Sequence, residues 1–553
     1  MEKIWLKNYP DDVPAEIDFK QLHSILDIFN EACEKYRDKP AFENLHHTIT
    51  YGELNKQSQN FANYLTQILK LKKGDRVAIM LPNLLQYPIA LFGILRAGLI
   101  VVNVNPLYTH SELEHQLSDA QAETIIILVN FASTLESALP RTPIKNIIVT
   151  ELGDCFPFIK RHLVNFVIKK IKKMVPSYTL PNPILFRDAL TVGAQNPSSF
   201  DEKTLRQNDI AFLQYTGGTT GIAKGAMLTH HNMVANMLQA KAWMGDSLKE
   251  GQEIIVTALP LYHIFSLTVN CLIFLEIGAK NVLITNPRDI PGFIKNIKHL
   301  KFTAITGVNT LFNALLHHPD FENVDFSHLH ISVGGGMAVQ KIVAERWETV
   351  TKCGLLEGYG LTEASPAISM TPLNLKHYNG SIGLPLPSTD ISIRDESGKE
   401  VALGESGELC VKGPQVMLGY WRNPQETENV IKADGWLYTG DIAKMDNNGF
   451  IYIVDRKKDM INVSGFKVFP TEIEGVIAKH PGVKEVGVVG VNDPVHGELV
   501  KAVIIKKDPA LTKEEIIRFC HEELTGYKIP KIIEFWDALP KTTVGKTLRR
   551  ALR

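Results

Sequence analysis

Apolar and polar positions alternate in two rhythms along the 553-residue chain. Between residues 24 and 150, LHSILDIFNEACEKY and YGELNKQSQNFANYLTQIL carry apolar residues at three- and four-residue intervals, which predicts amphipathic helices. DRVAIML, LIVVNV and ETIIILV between them are short β-branched runs and predict buried strands. A second series runs from Asp209 to Gly354, with AFLQYTG, EIIVTALP, NVLIT, FTAITG and ISVGGG as strands separated by helices. Such alternation predicts α/β layers with parallel sheet. From Asp390 to Ile453 short strands with Gly and Asn turns (ISIRDESGKEV, GELCVKG, FIYIVDR) predict a small barrel or distorted sheet. Beyond Arg456 a compact α+β pattern follows: TEIEGVIAKHPGV and KEEIIRFCHEEL as helices, VKEVGVVGV and VKAVIIKK as strands. The expected fold is therefore α/β. It has a large N-terminal domain, residues 1–457, of two layered α/β subdomains and a β-barrel-like one, then a small mobile α+β domain, residues 458–553.

Two segments test whether the chain enters a membrane. Ile89 to Val104 is the most apolar stretch, but it is too short to span a bilayer and carries Arg96 at its middle. It predicts a buried helix running into a buried strand. CFPFIKRHLVNFVIKKIKKMV, between Asp154 and Pro176, projects as a helix with Leu163, Val164, Val167, Ile168, Ile171, Met174 and Val175 on one stripe and Lys169, Lys170, Lys172 and Lys173 around it. Two readings stand side by side: a helix packing its stripe into the fold, or a reversible membrane-surface anchor. The N-terminus lacks the basic-then-apolar profile of a secretory signal, and RRALR at the C-terminus carries no peroxisomal or retention signal, so a cytoplasmic location is expected, with the inner membrane face as the alternative.

Composition excludes little. Net charge is −1, so no global pull toward nucleic acid exists, and none is expected as a partner. The six cysteines are scattered without metal-ligand spacing and read as free thiols.

The chemistry is carried by spaced motifs. YTGGTTGIAKG, from Tyr215 to Gly225, follows a strand-like run and precedes a helical one. Gly217, Gly218 and Gly221 let backbone amides approach phosphate oxygens, Thr216, Thr219 and Thr220 offer hydroxyls, and Lys224 adds a point charge. It is not a P-loop, because Ala223-Lys224-Gly225 stands where Gly-Lys-Ser/Thr is needed; Gly545-Lys546-Thr547 fails likewise, with Pro540 at the first glycine position. Taken alone, such a loop is more often a tight glycine turn. EGYGLTE (Glu357 to Glu363) supplies Thr362 as a phosphate-binding hydroxyl, Glu363 as a hard oxygen ligand for Mg²⁺ and Tyr359 as a flat face for adenine. GWLYTGD (Gly435 to Asp441), DRKKDMINVSG (Asp455 to Gly465) and PKTTVGK (Pro540 to Lys546) follow in order.

This ordered set resembles the acyl-adenylate-forming superfamily, which includes acyl-CoA synthetases, luciferases and the adenylation domains of peptide synthetases. The resemblance covers almost the whole chain and implies ATP, Mg²⁺ and coenzyme A as cofactors. It implies nucleotide contacts at Tyr215 to Gly221, at Gly335 and Gly336 beside the acyl chain, and at Glu357, Gly358, Tyr359 and Gly465. Asp441 and Arg456 are implied as ribose contacts and Lys458 as the hinge between domains. Lys546 is implied as the residue neutralising the encounter of acyl carboxylate and α-phosphate, an effect of roughly 3–4 kcal/mol. LPLYHIF (Leu259 to Phe265) is similar to the segment lining the acyl and thioester region, which makes His263 a candidate for orienting carboxylate or thiol. No motif identifies a general base for the thiol.

VNVNPLYT (Val102 to Thr109) and LQYTGGTTGIAKGAMLTHHNM look closest to bacterial long-chain-fatty-acid–CoA ligases. That likeness implies a two-step ligation of a long-chain fatty acid, through acyl-AMP, to coenzyme A. A free carrier protein as acceptor, a luciferase-like oxygenase and a nucleotide-binding scaffold without turnover are the competing readings. Chain-length preference and a homodimer are left open.

Overall fold

The computed structural model describes residues 2–19, 24–197, 200–216, 223–375, 378–464, 466–493, 497–541 and 547–553. Two large sheets organise it. The eight-stranded sheet runs, edge to edge, through Gly419–Tyr420, Lys224–Thr229, Ile210–Thr216, Ile100–Asn103, Arg76–Met80, Thr124–Leu128, Asn146–Thr150 and Ile184–Leu185. The nine-stranded sheet has a parallel centre, Leu355–Gly360, Ile331–Gly335, Ala304–Gly307, Ile254–Thr257 and Lys280–Leu283, and antiparallel strands at both margins. A four-stranded antiparallel sheet follows (Asp390–Arg394, Gly407–Lys412, Leu437–Met445, Ile451–Arg456), and a five-stranded sheet after Met460. The third unit is thus a distorted open sheet rather than a closed barrel among the described residues.

Strand membership departs from chain order at two places. Ile210–Thr216 opens the second sequence series, yet it pairs in parallel with Ile100–Asn103 of the first, Val101 opposite Phe212. Pro40–Asn44, early in the first series, pairs in parallel with Lys280–Leu283 of the second. Each sheet therefore borrows strands from the other stretch of chain, which ties the two subdomains into one core.

The helices form where their ends are satisfied as well as where their faces are apolar. Ser24 and Asp27, Thr50 and Glu53, and Thr229 and Asn232 are reciprocal capping pairs that satisfy otherwise orphaned N–H groups at the starts of Ile25–Lys35, Tyr51–Asn63 and His230–Met244. The helix Gln86–Arg96 is buried along its whole length and leads into the strand Ile100–Asn103, as its sequence predicts. Gly93 permits this packing, because a Cβ there would lie 2.8 Å from the Phe61 ring and 3.0 Å from the Ser58 carbonyl. No helix among the described residues is long and apolar enough to cross a membrane.

Candidate active site

The strand Ile210–Thr216 turns back antiparallel into Lys224–Thr229, with Thr216 opposite Lys224 and Tyr215 opposite Gly225. Gly217, Gly218, Thr219, Thr220 and Gly221, which the sequence nominates as phosphate contacts, lie outside the described residues. Both ends of that loop are described, and both are pinned from outside. The Tyr215 hydroxyl donates to Asp119 Oδ2 at 2.5 Å. The Tyr215 ring covers Gly225, where a Cβ would meet it at 3.0 Å. Trp421 donates its backbone N–H to Gly225 and its indole N–H to Asp119. Tyr215 thus anchors the loop base here, and its phenol is held above the ordinary range by burial and by the carboxylate beside it.

Lys224 points from the loop's far end into an acidic and aromatic corner. Its ammonium pairs with Glu426 and lies 5.4 Å from the centre of the Tyr420 ring. The Tyr420 hydroxyl donates to Glu363 Oε1 at 2.7 Å. Glu363 follows Thr362 in a short 3₁₀ turn, and its carbonyl accepts from the Met417 N–H, so its backbone is fixed and Tyr420 links its carboxylate to the corner that Lys224 enters. This carboxylate keeps an oxygen beyond the one Tyr420 uses. Mg²⁺ typically takes one or two protein carboxylates together with substrate phosphates, so a lone Glu363 fits that ion. Among the described residues no group of three or more His, Cys, Asp or Glu forms a closed metal cage.

A second chain of contacts leads to the ribose candidates. The Tyr359 hydroxyl donates to Asp441 Oδ2 at 2.6 Å, and Arg456 Nε donates to Asp441 Oδ1 at 3.0 Å. Asp441 and Arg456 face each other across neighbouring strands, so sheet register brings them together. Asp441 is buried, yet each carboxylate oxygen has a second lone pair to offer a hydroxyl. The Tyr359 phenol is half-buried, and desolvation together with the Asp441 carboxylate pushes it well above its usual range, so it stays a donor.

Behind these groups, Gly334 pairs with Glu357 and Gly335 with Gly358. A Cβ on Gly335 would sit 2.9 Å from Phe265, and Gly336 adopts a φ of +74°. The segment 259–265 is consequently pressed against the glycine strand. Asn83 fixes its start, accepting from the Leu261 N–H and donating to Leu259 and Thr257 carbonyls. His263 caps the turn after it, its Nδ1 accepting from the Phe265 N–H, which leaves the proton on Nε2. Glu357 is buried with the Val339 N–H donating to it at 3.2 Å, and burial pushes its carboxyl up to about 8.

Gly465 and Lys546 lie outside the described residues. The segment just beyond Lys546 meets the hinge region: Arg549, three residues on, donates to Asp455 at 3.1 Å, to Asp459 at 3.2 Å and, further along, to Glu474 at 2.7 Å. Sequence reasoning missed Tyr420, Glu426 and Asp119. Tyr420 belongs to a GYWR run whose aromatic pair is the one local hint; Asp119 and Glu426 look like ordinary helix-surface acids.

A strand-flanked glycine loop with a lysine at its exit, a carboxylate suited to Mg²⁺ and a ribose-type Asp–Arg pair together define a nucleotide-binding enzyme site. The chain belongs to the AMP-binding enzyme family, and within it to the long-chain-fatty-acid–CoA ligases. The family's model, AMP-binding enzyme, matches residues 29–421, and the model of its C-terminal domain matches residues 472–546. The chain is 57% identical over 553 residues to the long-chain-fatty-acid–CoA ligase of Escherichia coli O157:H7, covering 100% of this chain and 98% of that one. Its fold is similar to the crystal structure of the anthranilate CoA ligase AuaEII in complex with anthranoyl-AMP, with a TM-score of 0.83, 25% identity and 98% of each chain covered. It is also similar to ATP-bound MatB from Rhodopseudomonas palustris, with a TM-score of 0.79, 28% identity, and 96% of this chain and 98% of that one covered.

Proposed function

We infer that this protein joins a long-chain fatty acid to coenzyme A at the expense of ATP, through an acyl-adenylate. The observation that carries the reading is the meeting of Lys224, Glu363 and the Tyr359–Asp441–Arg456 chain around the base of one glycine- and threonine-rich loop, in a chain so close to ligases of this name.

In the first half-reaction the acid's carboxylate oxygen attacks the α-phosphorus of ATP. A new P–O bond forms, the bond to pyrophosphate breaks, and acyl-AMP results. Lys224 and Thr216 stand where charge grows on the leaving pyrophosphate, and Lys224 must exchange its Glu426 partner for phosphate to act there. Glu363 would hold Mg²⁺, which when bound adds Lewis-acid stabilisation of phosphate oxygens. Asp441 and Arg456 orient the ribose. His263, fixed with its proton on Nε2, presents a donor toward the acyl carboxylate. In the second half-reaction the coenzyme A sulfur attacks the acyl carbonyl and AMP leaves.

We place the domain boundary at 457/458. Ile451–Arg456 ends the four-stranded sheet, Lys457–Asp459 is one 3₁₀ turn, and Ile461–Val463 begins the five-stranded sheet, so few dihedrals need change for the small domain to rotate. Burial and the neighbouring Arg456 guanidinium lower the Lys458 amine below its ordinary range. That rotation would exchange Lys546 at the first step for the Ser464–Val468 stretch at the second.

Pyrophosphate release dependent on palmitate, followed by a coenzyme A ligation screen from acetate to C20 acids, tests the reading; a free carrier protein serves as the competing acceptor. Lys546→Ala is expected to lower palmitate-dependent pyrophosphate release by about 10²–10³-fold. Unchanged release would remove Lys546 from the mechanism.

A further inference from the structure

The segment after the strand Asn146–Thr150 is a helix, Phe158–Phe166, continued by a π-helical turn, Val167–Ile171. Sequence periodicity assigns it one apolar stripe. The structure divides those residues between two faces. Val164, Val167, Ile168 and Val175 are half-buried and turn inward, Val164 and Val175 against the cores beneath. Leu163, Ile171 and Met174 are exposed, and Phe158, Ile159 and Phe166 join them outside, all six between 51% and 81% exposed. The π turn holds an extra residue per turn and rotates the later positions out of the stripe. The helix therefore packs on the fold and still carries a second apolar face that no described residue covers.

This outer face is built rather than incidental. Asn165 anchors the helix to the preceding turn, accepting from the Gly153 N–H at 2.8 Å. Lys160 donates to the Leu45 carbonyl across to the other sheet. Six of the fourteen large apolar side chains that the described residues expose lie in these seventeen positions, 158 to 174, so apolar exposure is concentrated here. Around it stand Lys169, Lys170, Lys172 and Lys173. Among the described residues only Glu151 comes within ion-pairing distance of them, at 3.9 Å from Lys169. No Asp or Glu occurs between Asp154 and Asp188 in a chain whose net charge is −1.

We propose that residues 158–174 form a docking surface for an anionic lipid bilayer, the six apolar side chains entering the headgroup boundary and the four lysines pairing with lipid phosphates. Charge decides the occupant: exposed Phe, Ile and Leu flanked by four lysines that meet, among the described residues, a single carboxylate at 3.9 Å match an interface that is apolar below and anionic above. A second copy of this chain would bring the same positive charge face to face with itself. The inference rests on the long-chain reading of the substrate, since a free long-chain acid resides in membranes and a bilayer-bound enzyme meets it there.

The surface is separate from the chemistry. The strand that leads into it lies four strands from Ile210–Thr216 in the eight-stranded sheet, roughly 19 Å away at ordinary strand spacing. Binding and turnover can therefore be read independently on the full chain. The experiment is flotation with vesicles of phosphatidylglycerol and phosphatidylethanolamine, against vesicles of phosphatidylcholine alone. The expected result is binding to the anionic vesicles that weakens with added salt and on neutral lipid. Lys169→Glu with Lys170→Glu should weaken it by on the order of a hundredfold, and Ile159→Asp with Phe166→Asp should abolish it. Both variants should keep wild-type pyrophosphate release with decanoate in vesicle-free buffer. Wild-type protein that stays off anionic vesicles, or variants that float as wild type does, would overturn the proposal. So would a halved solution mass in the Ile159→Asp, Phe166→Asp variant with vesicle binding intact, since that assigns the face to a second copy. Failure of fatty-acid-dependent pyrophosphate release in the wild type would instead remove the ligase reading, leaving the flotation result to stand.

Discussion

Two apolar helices of this chain end in opposite environments. All eleven residues of Gln86–Arg96 are buried, while none of Phe158–Phe166 is. Both carry arginine and both look able to fill a core. What separates them is the company of the charge and the size of the neighbours. Gly93 and Ala90 let the first helix approach its neighbours closely, and the two terminal nitrogens of its single cation find four side-chain acceptors. The second helix has two cations within it and four more just beyond, with almost no carboxylate to meet them. A hydrophobic run thus follows its charges: where the cation can be paired the helix goes inside, and where it cannot the helix stays at the surface.

The largest effect should come from breaking the pairing in the buried helix. Arg96 donates to Glu202 at 2.5 Å, to Gln59 at 3.0 Å, to Asn30 at 2.6 Å and to Asn55, and it lies 5.1 Å over the Phe29 ring. Arg96→Met keeps the volume and strands these acceptors, so a loss of about 3–5 kcal/mol is expected, seen as a large fall in urea midpoint. A midpoint within error of wild type would show that the pairing does not hold the helix inside.

Glu357 sharpens the comparison, because among the described residues this buried ionisable group meets no countercharge. Its carboxyl titrates at about 8 in the folded protein and near 4.5 when exposed. Between those values the unfolded chain has released a proton that the folded protein retains. The stability this group contributes is complete below about 4.5 and is lost as pH rises to about 8. Glu357→Gln should therefore gain on wild type by about 3 kcal/mol between pH 5 and pH 8, at roughly 1.4 kcal/mol per unit. Urea midpoints of both proteins across that range check it; parallel curves would mean that a countercharge has been overlooked.

Much of this was legible in advance, and the reason is local. Helix starts are written in pairs three residues apart, such as Thr50 with Glu53, and strands in β-branched runs. The spaced motifs lie in order, and Tyr359, Asp441 and Arg456 do converge. What stayed hidden depends on distant pairing. Whether Ile210–Thr216 joins the first or second sheet is decided by neighbours about a hundred positions away, and its own pattern is equally suited to either. Tyr420 reaches Glu363 across 57 positions, and Lys224 reaches Glu426 across 202. The outer face of residues 158–174 was hidden for another reason. A projection groups apolar positions by angle alone: it cannot say that Val164 meets the core while its neighbour Leu163 is left outside, and it carries no π turn to move Ile171 and Met174.

A smaller change probes packing in the buried helix without touching charge. Gly93→Ala forces a methyl to 2.8 Å from the Phe61 ring and 3.0 Å from a backbone carbonyl. Higher helix propensity would favour alanine by about 1 kcal/mol at an exposed site. Overpacking of about 1–3 kcal/mol should outweigh it, giving a net loss in thermal or urea stability. A stabilised Gly93→Ala protein would mean that the helix can shift to make room, and that close approach is not what brings it inside.

The smallest effect belongs to the exposed helix and completes the contrast. Ile159 is 81% exposed, so Ile159→Ser removes little buried apolar area. Serine is a slightly poorer helix former than isoleucine or its equal, and the position lies in the first turn, where propensity counts least. The expected change in urea midpoint corresponds to within about 0.5 kcal/mol in either direction. A core role would instead cost about 2 kcal/mol or more for the same substitution. If the loss is that large, Ile159 is covered in solution and the charge rule fails for this helix. If stability is unchanged, the isoleucine is retained at a position where folding gains nothing from it.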